Sequence, residues 1–302
     1  MKVMLRALSL LLCMTAPAAA MQADPPKTPT LQVEVEGGAV WQSRNDVQIP
    51  NDAAGTRFSL VDAIGNGPWP TARLYATWNI NEKHGLRLLL APLRVSGTAT
   101  LDSPIAFAGS RFAAGTPTDA SYQFNSWRVT YRYRFHDGEN WRWWVGFTAK
   151  VRDAKIRLAQ GSEIGEKVDV GFVPLLHLAG TRRLTARWMA ELDADALAGG
   201  PGRAEDVALK LRYRLRDRLS IAGGYRTVEG GANVDEVYNF AWLHYAVLST
   251  RVSFQGVAVM ATEEAKYTIV LKADRFELRK YESQILAQTA VGGDFEGAGS
   301  EA

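Results

Sequence analysis

An all-β fold, an antiparallel up-and-down transmembrane β-barrel of about ten strands (8–12), is predicted by three observations. Segment after segment alternates apolar and polar residues, with helical periods almost absent. In Trp127–Phe135 one face carries Trp127, Val129, Tyr131, Tyr133 and Phe135, and the other Arg128, Thr130, Arg132 and Arg134. The connections alternate between short polar turns and longer Gly/Pro/Ala-rich loops. The chain opens on a segment suited to export.

That opening, residues 1–20, reads as a secretory signal peptide. Lys2 and Arg6 give it positive charge, Ala7 to Met14 an apolar run, and Ala18-Ala19-Ala20 a small-residue cleavage site. The run is too short for a spanning helix. Cys13 is the only cysteine, so the exported chain is expected to carry no disulfide and no cysteine metal site. Leu12 stands where a lipoprotein would have a small residue. After this segment no run of eighteen apolar residues occurs, which excludes a helical membrane protein but not a barrel. A net charge of +3 gives no argument for nucleic acid. Nine Trp and ten Tyr suit an interfacial aromatic girdle.

The alternation places strands near 31–44, 70–80, 85–97, 121–135, 141–156, 166–179, 184–196, 205–215, 218–228 and 236–254. Each meets or exceeds the roughly 9–11 residues of a tilted membrane strand. Short turns are predicted at Asn81–His84, His136–Asn140, Gly180–Arg183 and Arg216-Asp217. Asp137-Gly138 is a strong tight-turn pair. Longer loops are expected at 45–69, 98–120, 157–165, 197–204 and 229–235. An even strand number puts both barrel ends on the periplasmic side.

The outward sets are Leu74, Ala76, Trp78 and Ile80; Leu86, Leu88 and Leu90; Trp143, Val145, Phe147 and Val151; Val168, Val170, Phe172, Leu176 and Leu178. The last strand adds Tyr238, Phe240, Trp242, Leu248, Val252 and Phe254. His244 falls on the same face and is a local misfit. Pro92 interrupts its strand, and Leu93 and Val95 then change parity, which predicts a bulge. Inward charges are Arg73, Arg87, Arg128, Arg132, Arg134, Lys150, Arg152, Lys210, Arg212, Arg214 and Arg226, opposed by Glu34, Glu36, Asp169, Glu191, Asp193 and Asp195. A barrel of this size is only slightly wider than the eight-stranded kind that side chains fill. The charges are therefore read as structural cross-links, with a narrow polar path as the alternative.

Catalytic patterns are weak. His84 and His136 lie in turns. His177 points inward near the periplasmic end, whereas Asp193 and Asp195 lie toward the outer end, so the alternation separates them along the axis. Ser220, Ser249 and Ser253 have no evident histidine, and no Gly-x-Ser-x-Gly or His-Glu-x-x-His occurs. Gly199–Gly202 is a loop, not a phosphate cradle. The chain is read as a non-enzyme, with an outer-membrane hydrolase of lipid or peptide at the outer rim as an alternative.

Taken together, residues 21–254 resemble a Gram-negative outer-membrane β-barrel, on the export segment, the alternating strands and the terminal run His244–Phe254. The resemblance implies a structural, adhesive or narrow-channel protein, with outer-membrane lipid and the barrel-assembly machinery as partners. Trp242, Leu248, Val252 and Phe254 would carry the assembly signal.

Residues 255–302 differ in character. Tyr267, Phe276-Glu277-Leu278-Arg279 and Tyr281, followed by Ile285–Thr289, resemble the opening of a SOUL-type haem-binding domain over about 40 residues. Ser283 stands where that family has Pro, and Gln288 where it often has Glu. The family implies haem, but no histidine follows His244 and the later elements are missing, so haem binding by this chain is not expected. Two readings are open: a truncated fusion, or a composite chain joined near Met260. The position of that methionine favours the second.

Overall fold

The computed structural model describes residues 31–254, 257–261 and 267–271. Residues 1–20, predicted to be a signal peptide, lie outside the described residues. So do Phe276, Glu277, Leu278, Arg279 and Tyr281 of the SOUL-like run. In the tail, the described backbone is a hairpin of Val257–Ala261 with Tyr267–Leu271.

The main sheet is a closed antiparallel barrel of ten staves. They are β1 (Leu31–Gln48), β3 (Trp69–Asn79), β4 (His84–Ala91) continued by β5 (Arg94–Thr100), β8 (Pro117–Asp137) and β9 (Trp141–Gln160). β10 (Glu163–Arg183), β11 (Trp188–Gly199), β12 (Gly202–Arg216), β13 (Leu219–Val234) and β14 (Val237–Phe254) complete it. The remaining small elements, β2 (Phe58–Ser59), α1 (Leu60–Ile64), β6 (Ile105–Phe107) and β7 (Ser110–Phe112), belong to two loops. Each stave pairs with its chain neighbour, and β14 returns to β1 from Leu31↔Phe254 to Gln48↔Tyr238. Closure joins the first and last staves edge to edge, as a sheet in hydrocarbon requires, while β5 is paired on one side only, with β8.

Three expectations need correction. The segments 157–165, 197–204 and 229–235 are not loops. β9–β10, β11–β12 and β13–β14 pair through them to tight turns, because the strands continue their ladders past the apolar belt. Gly180–Arg183 is still strand, and the turn follows it, with the amides of Leu184 and Thr185 donating to the Trp188 carbonyl. There is no bulge at Pro92. Ala91↔Ser126 and Arg94↔Gln123 keep one register across it, and Leu93 and Val95 point inward like Leu89. What changes there is the chemistry of the interior, not the parity of the strand. Pro92 has no amide to give, and the Leu93 amide turns to the Asn125 side chain at 3.2 Å.

The interior shifts in character along several long staves. From the short-turn end, β1 turns Glu34, Glu36, Val40 and Gln42 inward; β9 turns Thr148, Lys150, Ile156 and Leu158; β14 turns Ser249, Val247, Tyr245 and Leu243. Ions therefore occupy the middle and apolar side chains the long-loop end. Two loops fold into that mouth and complete its core. One brings Leu60 and Ile64 on α1, whose first turn is capped by Ser59 accepting from the Val61 amide at 3.1 Å. The other brings Phe107 and Phe112 on the β6–β7 hairpin. Phe58 meets Phe107 edge-on at 5.7 Å. Glycines make room for both loops. A Cβ at Gly97 would stand 2.4 Å from the Ile64 carbonyl oxygen, and one at Gly165 would stand 2.8 Å from that of Phe107.

The exterior is the inverse. Phe147 (67% exposed), Phe172 (67%) and Leu248 (72%) typify a surface studded with large apolar side chains. So large an apolar surface would be a liability in water and is what hydrocarbon solvates.

Replacing Gly97 with Val is expected to lift α1 off the wall, at a cost of about 1–3 kcal/mol for overpacking. Limited proteolysis should then cut within 49–68 faster than in the parent, with folded-band gel mobility retained. Unchanged cleavage would contradict the packing described.

Candidate functional site

Two places bring chemically capable side chains together. The first is the middle of the lumen, where carboxylates and cations from most of the staves converge. Asp206 accepts from Arg73 at 2.8 Å and Arg128 at 2.7 Å, and is paired with Arg226. Glu36 accepts from Lys210 at 2.9 Å, from Arg226 and from the Tyr75 hydroxyl. Glu34 takes Lys210 at 2.7 Å, Arg212 at 2.8 Å and Arg251 at 2.7 Å; Glu191 takes Arg212 at 2.7 Å and Arg251 at 3.0 Å. Arg87 grips Asp193, and Arg128 donates to Asp195 at 2.8 Å. Removing two charges from water is expensive, so such pairs add little net stability. Removing one partner is costly, because the other charge is left buried and unpaired.

The remaining predicted inward charges sit at the edges of this cluster. Arg132 lies over the Trp144 ring at 5.0 Å, Arg134 pairs with Asp137 at 3.1 Å, and Lys150 sits over Phe124 at 4.7 Å. Arg152 pairs with Asp169. Arg214 stands at the short-turn rim, where it donates to the Ala186 carbonyl at 2.5 Å rather than to a carboxylate. Asp206 and Arg251 were missed in the sequence, although both follow the inward parity of their strands.

His177 and the aspartates are not separated along the axis. β10 pairs His177 directly opposite Asp195, because the strands run further than their apolar belts and the register slides accordingly. His177 Nδ1 lies 2.8 Å from Asp195. Nor is the aspartate pair at the outer rim: Asp195 is buried in mid-lumen. His177, Asp193 and Asp195 hold ligand-type atoms within 4.8 Å of one another. Their carboxylates are already spent on Arg87, Arg128, His177 and the Thr148 hydroxyl, so the set does not fit a cation without displacing guanidiniums. Toward the short-turn end lies a cavity of about 150 Å³, lined among others by Arg87, Arg132, Trp144 and Asp193.

The second place is on the outside wall and explains the misfit of His244. Its Nε2 lies 2.7 Å from Ser43 Oγ, and its Nδ1 lies 2.5 Å from the Tyr225 hydroxyl. Ser43 is the extra residue where the β1–β14 register slips between Gln42 and Arg44. Gln42, Asn45 and Val47 are all buried, so the bulge turns both Ser43 and Arg44 outward. β13 delivers Tyr225 to the other side of His244. Trp242 caps the group, its indole donating to Thr227 at 2.8 Å. The sequence carried one signal for this site, the polar run Gln42-Ser43-Arg44-Asn45 that breaks the alternation of β1.

No family profile and no curated protein matches the chain. Among solved structures it is similar to the outer membrane protease OmpT from Escherichia coli, at 10% identity and a TM-score of 0.42, over 78% of this chain and 100% of that one. It is also similar to an outer membrane channel from Pseudomonas putida F1, at 11% identity and a TM-score of 0.38, over 80% and 100%. For Neisserial surface protein A the values are 14%, 0.32, and 74% and 97%. These neighbours include a protease and a channel, and the likeness is one of fold alone.

Asp206→Asn should leave Arg73, Arg128 and Arg226 short of an acceptor and lower stability by about 3–5 kcal/mol. Glu166→Gln, at the far more exposed pairs with Lys155 and Arg157, should cost under about 1 kcal/mol. Urea titration of the folded gel band measures both. Equal effects would refute a central role for the buried cluster.

Proposed function

We propose that this chain is an integral outer-membrane β-barrel of structural or adhesive type, closed to solutes, whose working surfaces are its outer wall and its long-loop end. The observation that carries this reading is the filled lumen. Ion pairs cross-link the middle, and the apolar core of Leu60, Ile64, Phe107 and Phe112 stops the mouth. The apolar exterior and the closed ladder support a place in a lipid bilayer, and the signal-like residues 1–20 support export. The partners of this reading are outer-membrane lipid and the barrel-assembly machinery, which would read Trp242, Leu248, Val252 and Phe254. The short-turn end would face the periplasm. Haem forms no part of the proposal.

Purified full-length chain in planar bilayers should give no steady conductance steps in concentrated KCl. Steady, uniform steps would contradict the filled lumen and favour the narrow-channel alternative.

A further inference from the structure

Ser43, His244 and Tyr225 have the connectivity of an activated nucleophile: hydroxyl to imidazole nitrogen, with the second nitrogen held by a third group. With its proton on Nδ1, His244 donates to the Tyr225 oxygen and accepts from the Ser43 hydroxyl through Nε2. The Trp242 carbonyl, 3.4 Å from Ser43 Oγ, is the other acceptor in reach. The third group is a phenol rather than a carboxylate, so it orients the ring without adding charge.

Location selects the substrate. On β14 the outward row from the long-loop end runs Tyr238, Phe240, Trp242, His244, Ala246, Leu248 and on to Phe254. Ten residues of tilted strand between His244 and Phe254 cover about 25 Å along the barrel axis, the height of the apolar band of such barrels. His244 therefore lies at the far border of that band, just below an aromatic girdle. At this depth a glycerolipid carries its ester carbonyls, between headgroup and tails. Guanidiniums cluster just above. Arg44 donates to Tyr238 at 2.9 Å, Arg57 lies 3.7 Å from the Tyr238 ring centre, and Arg203 lies 5.0 Å from that of Phe240. Arg44 also pairs with Asp46 and Arg203 with Glu229, so among the described residues Arg57 is the one of the three with no carboxylate partner, and it suits a lipid phosphate. Polar side chains on a lipid-facing wall are expensive and call for a reason.

We infer that Ser43, His244 and Tyr225 form an acyl-ester hydrolase site on the outer wall, acting on a phosphate-bearing glycerolipid of the surrounding leaflet. Ser43 Oγ attacks the ester carbonyl carbon while His244 Nε2 takes the hydroxyl proton. The carbon–oxygen bond to the glycerol breaks, and the departing oxygen receives that proton. Water then attacks the acyl-serine with His244 again as base, releasing the fatty acid and restoring the Ser43 hydroxyl. Ser43 and His244 are the catalytic residues, and Tyr225 is a positioning residue. The inference rests on the reading of the outer wall as lipid-facing.

The test uses full-length protein in phosphatidylethanolamine–phosphatidylglycerol vesicles, with heat-modifiable gel mobility run alongside to show that each variant has assembled. Fatty-acid release is followed by mass spectrometry, and an alkyl fluorophosphonate is used to label the nucleophile. The parent should release fatty acid and carry the label on Ser43. Ser43→Ala should abolish both, and His244→Gln should lower release at least about 100-fold. Tyr225→Phe should slow labelling about tenfold with mobility unchanged, which a purely structural tyrosine would not do. An assembled parent that releases no fatty acid and leaves Ser43 unlabelled overturns the inference. So does full release by Ser43→Ala. Turnover of soluble short-chain esters without turnover of vesicle lipid overturns the substrate assignment. Absence of a mobility shift in the parent would instead sink the barrel reading beneath it.

Discussion

Everything in this molecule depends on the pairing of its last strand with its first. Leu31 through Gln48 lie against Phe254 through Tyr238, with residues 49–237 of the chain between them. Without that pairing two strand edges would stand open, each a row of backbone groups that hydrocarbon cannot satisfy. With it, the alternation of side chains acquires a meaning that a single strand lacks. One parity faces a common interior and the other a common exterior, and between bulges each side chain is sorted by its position modulo two.

Closure also creates the demand that the interior meets in two ways. A barrel this narrow has little room for water between facing side chains. Where the inward residues are charged, neutrality is reached by hubs rather than by isolated pairs, with Asp206 serving Arg73, Arg128 and Arg226, and Glu34 serving Lys210, Arg212 and Arg251. Where they are apolar, the ring of Val40, Leu93, Tyr122, Ile156 and Leu243 is filled by loops folded inward. The outer wall then becomes the surface on which polar side chains are exceptional. Ser43, Tyr225 and His244 stand out there against an outer wall typified by Phe147, Phe172 and Leu248.

The ten staves were legible because period two survives over nine or more residues in each, and the outward sets repeat it without error. The loop plug was not. Leu60, Ile64, Phe107 and Phe112 are short apolar fragments among Gly and Pro, and a fragment of that length has no period to read. Hairpins through 197–204 and 229–235 were hidden by small residues whose strand character comes from cross-strand hydrogen bonds. Pro92 was over-read: a change from charged to apolar inward residues imitates a change of parity. The acid–base partners could be listed from parity but not matched, since Arg128 and Asp206 are 78 residues apart. Ser43 and His244 lie 201 apart, and only the closing seam brings them together.

The most direct test of the account is a covalent one at that seam. Val33 and Val252 face each other in the β1–β14 register, and Cys13, the only native cysteine, lies within residues 1–20, ahead of the barrel. Val33→Cys with Val252→Cys should form an intramolecular disulfide on mild oxidation of the assembled barrel, within the reach such a bond requires. The cyclised chain should then keep a compact mobility after boiling until a reductant is added. If the two thiols stay free in the assembled protein, or pair only between molecules, the barrel is not closed as described.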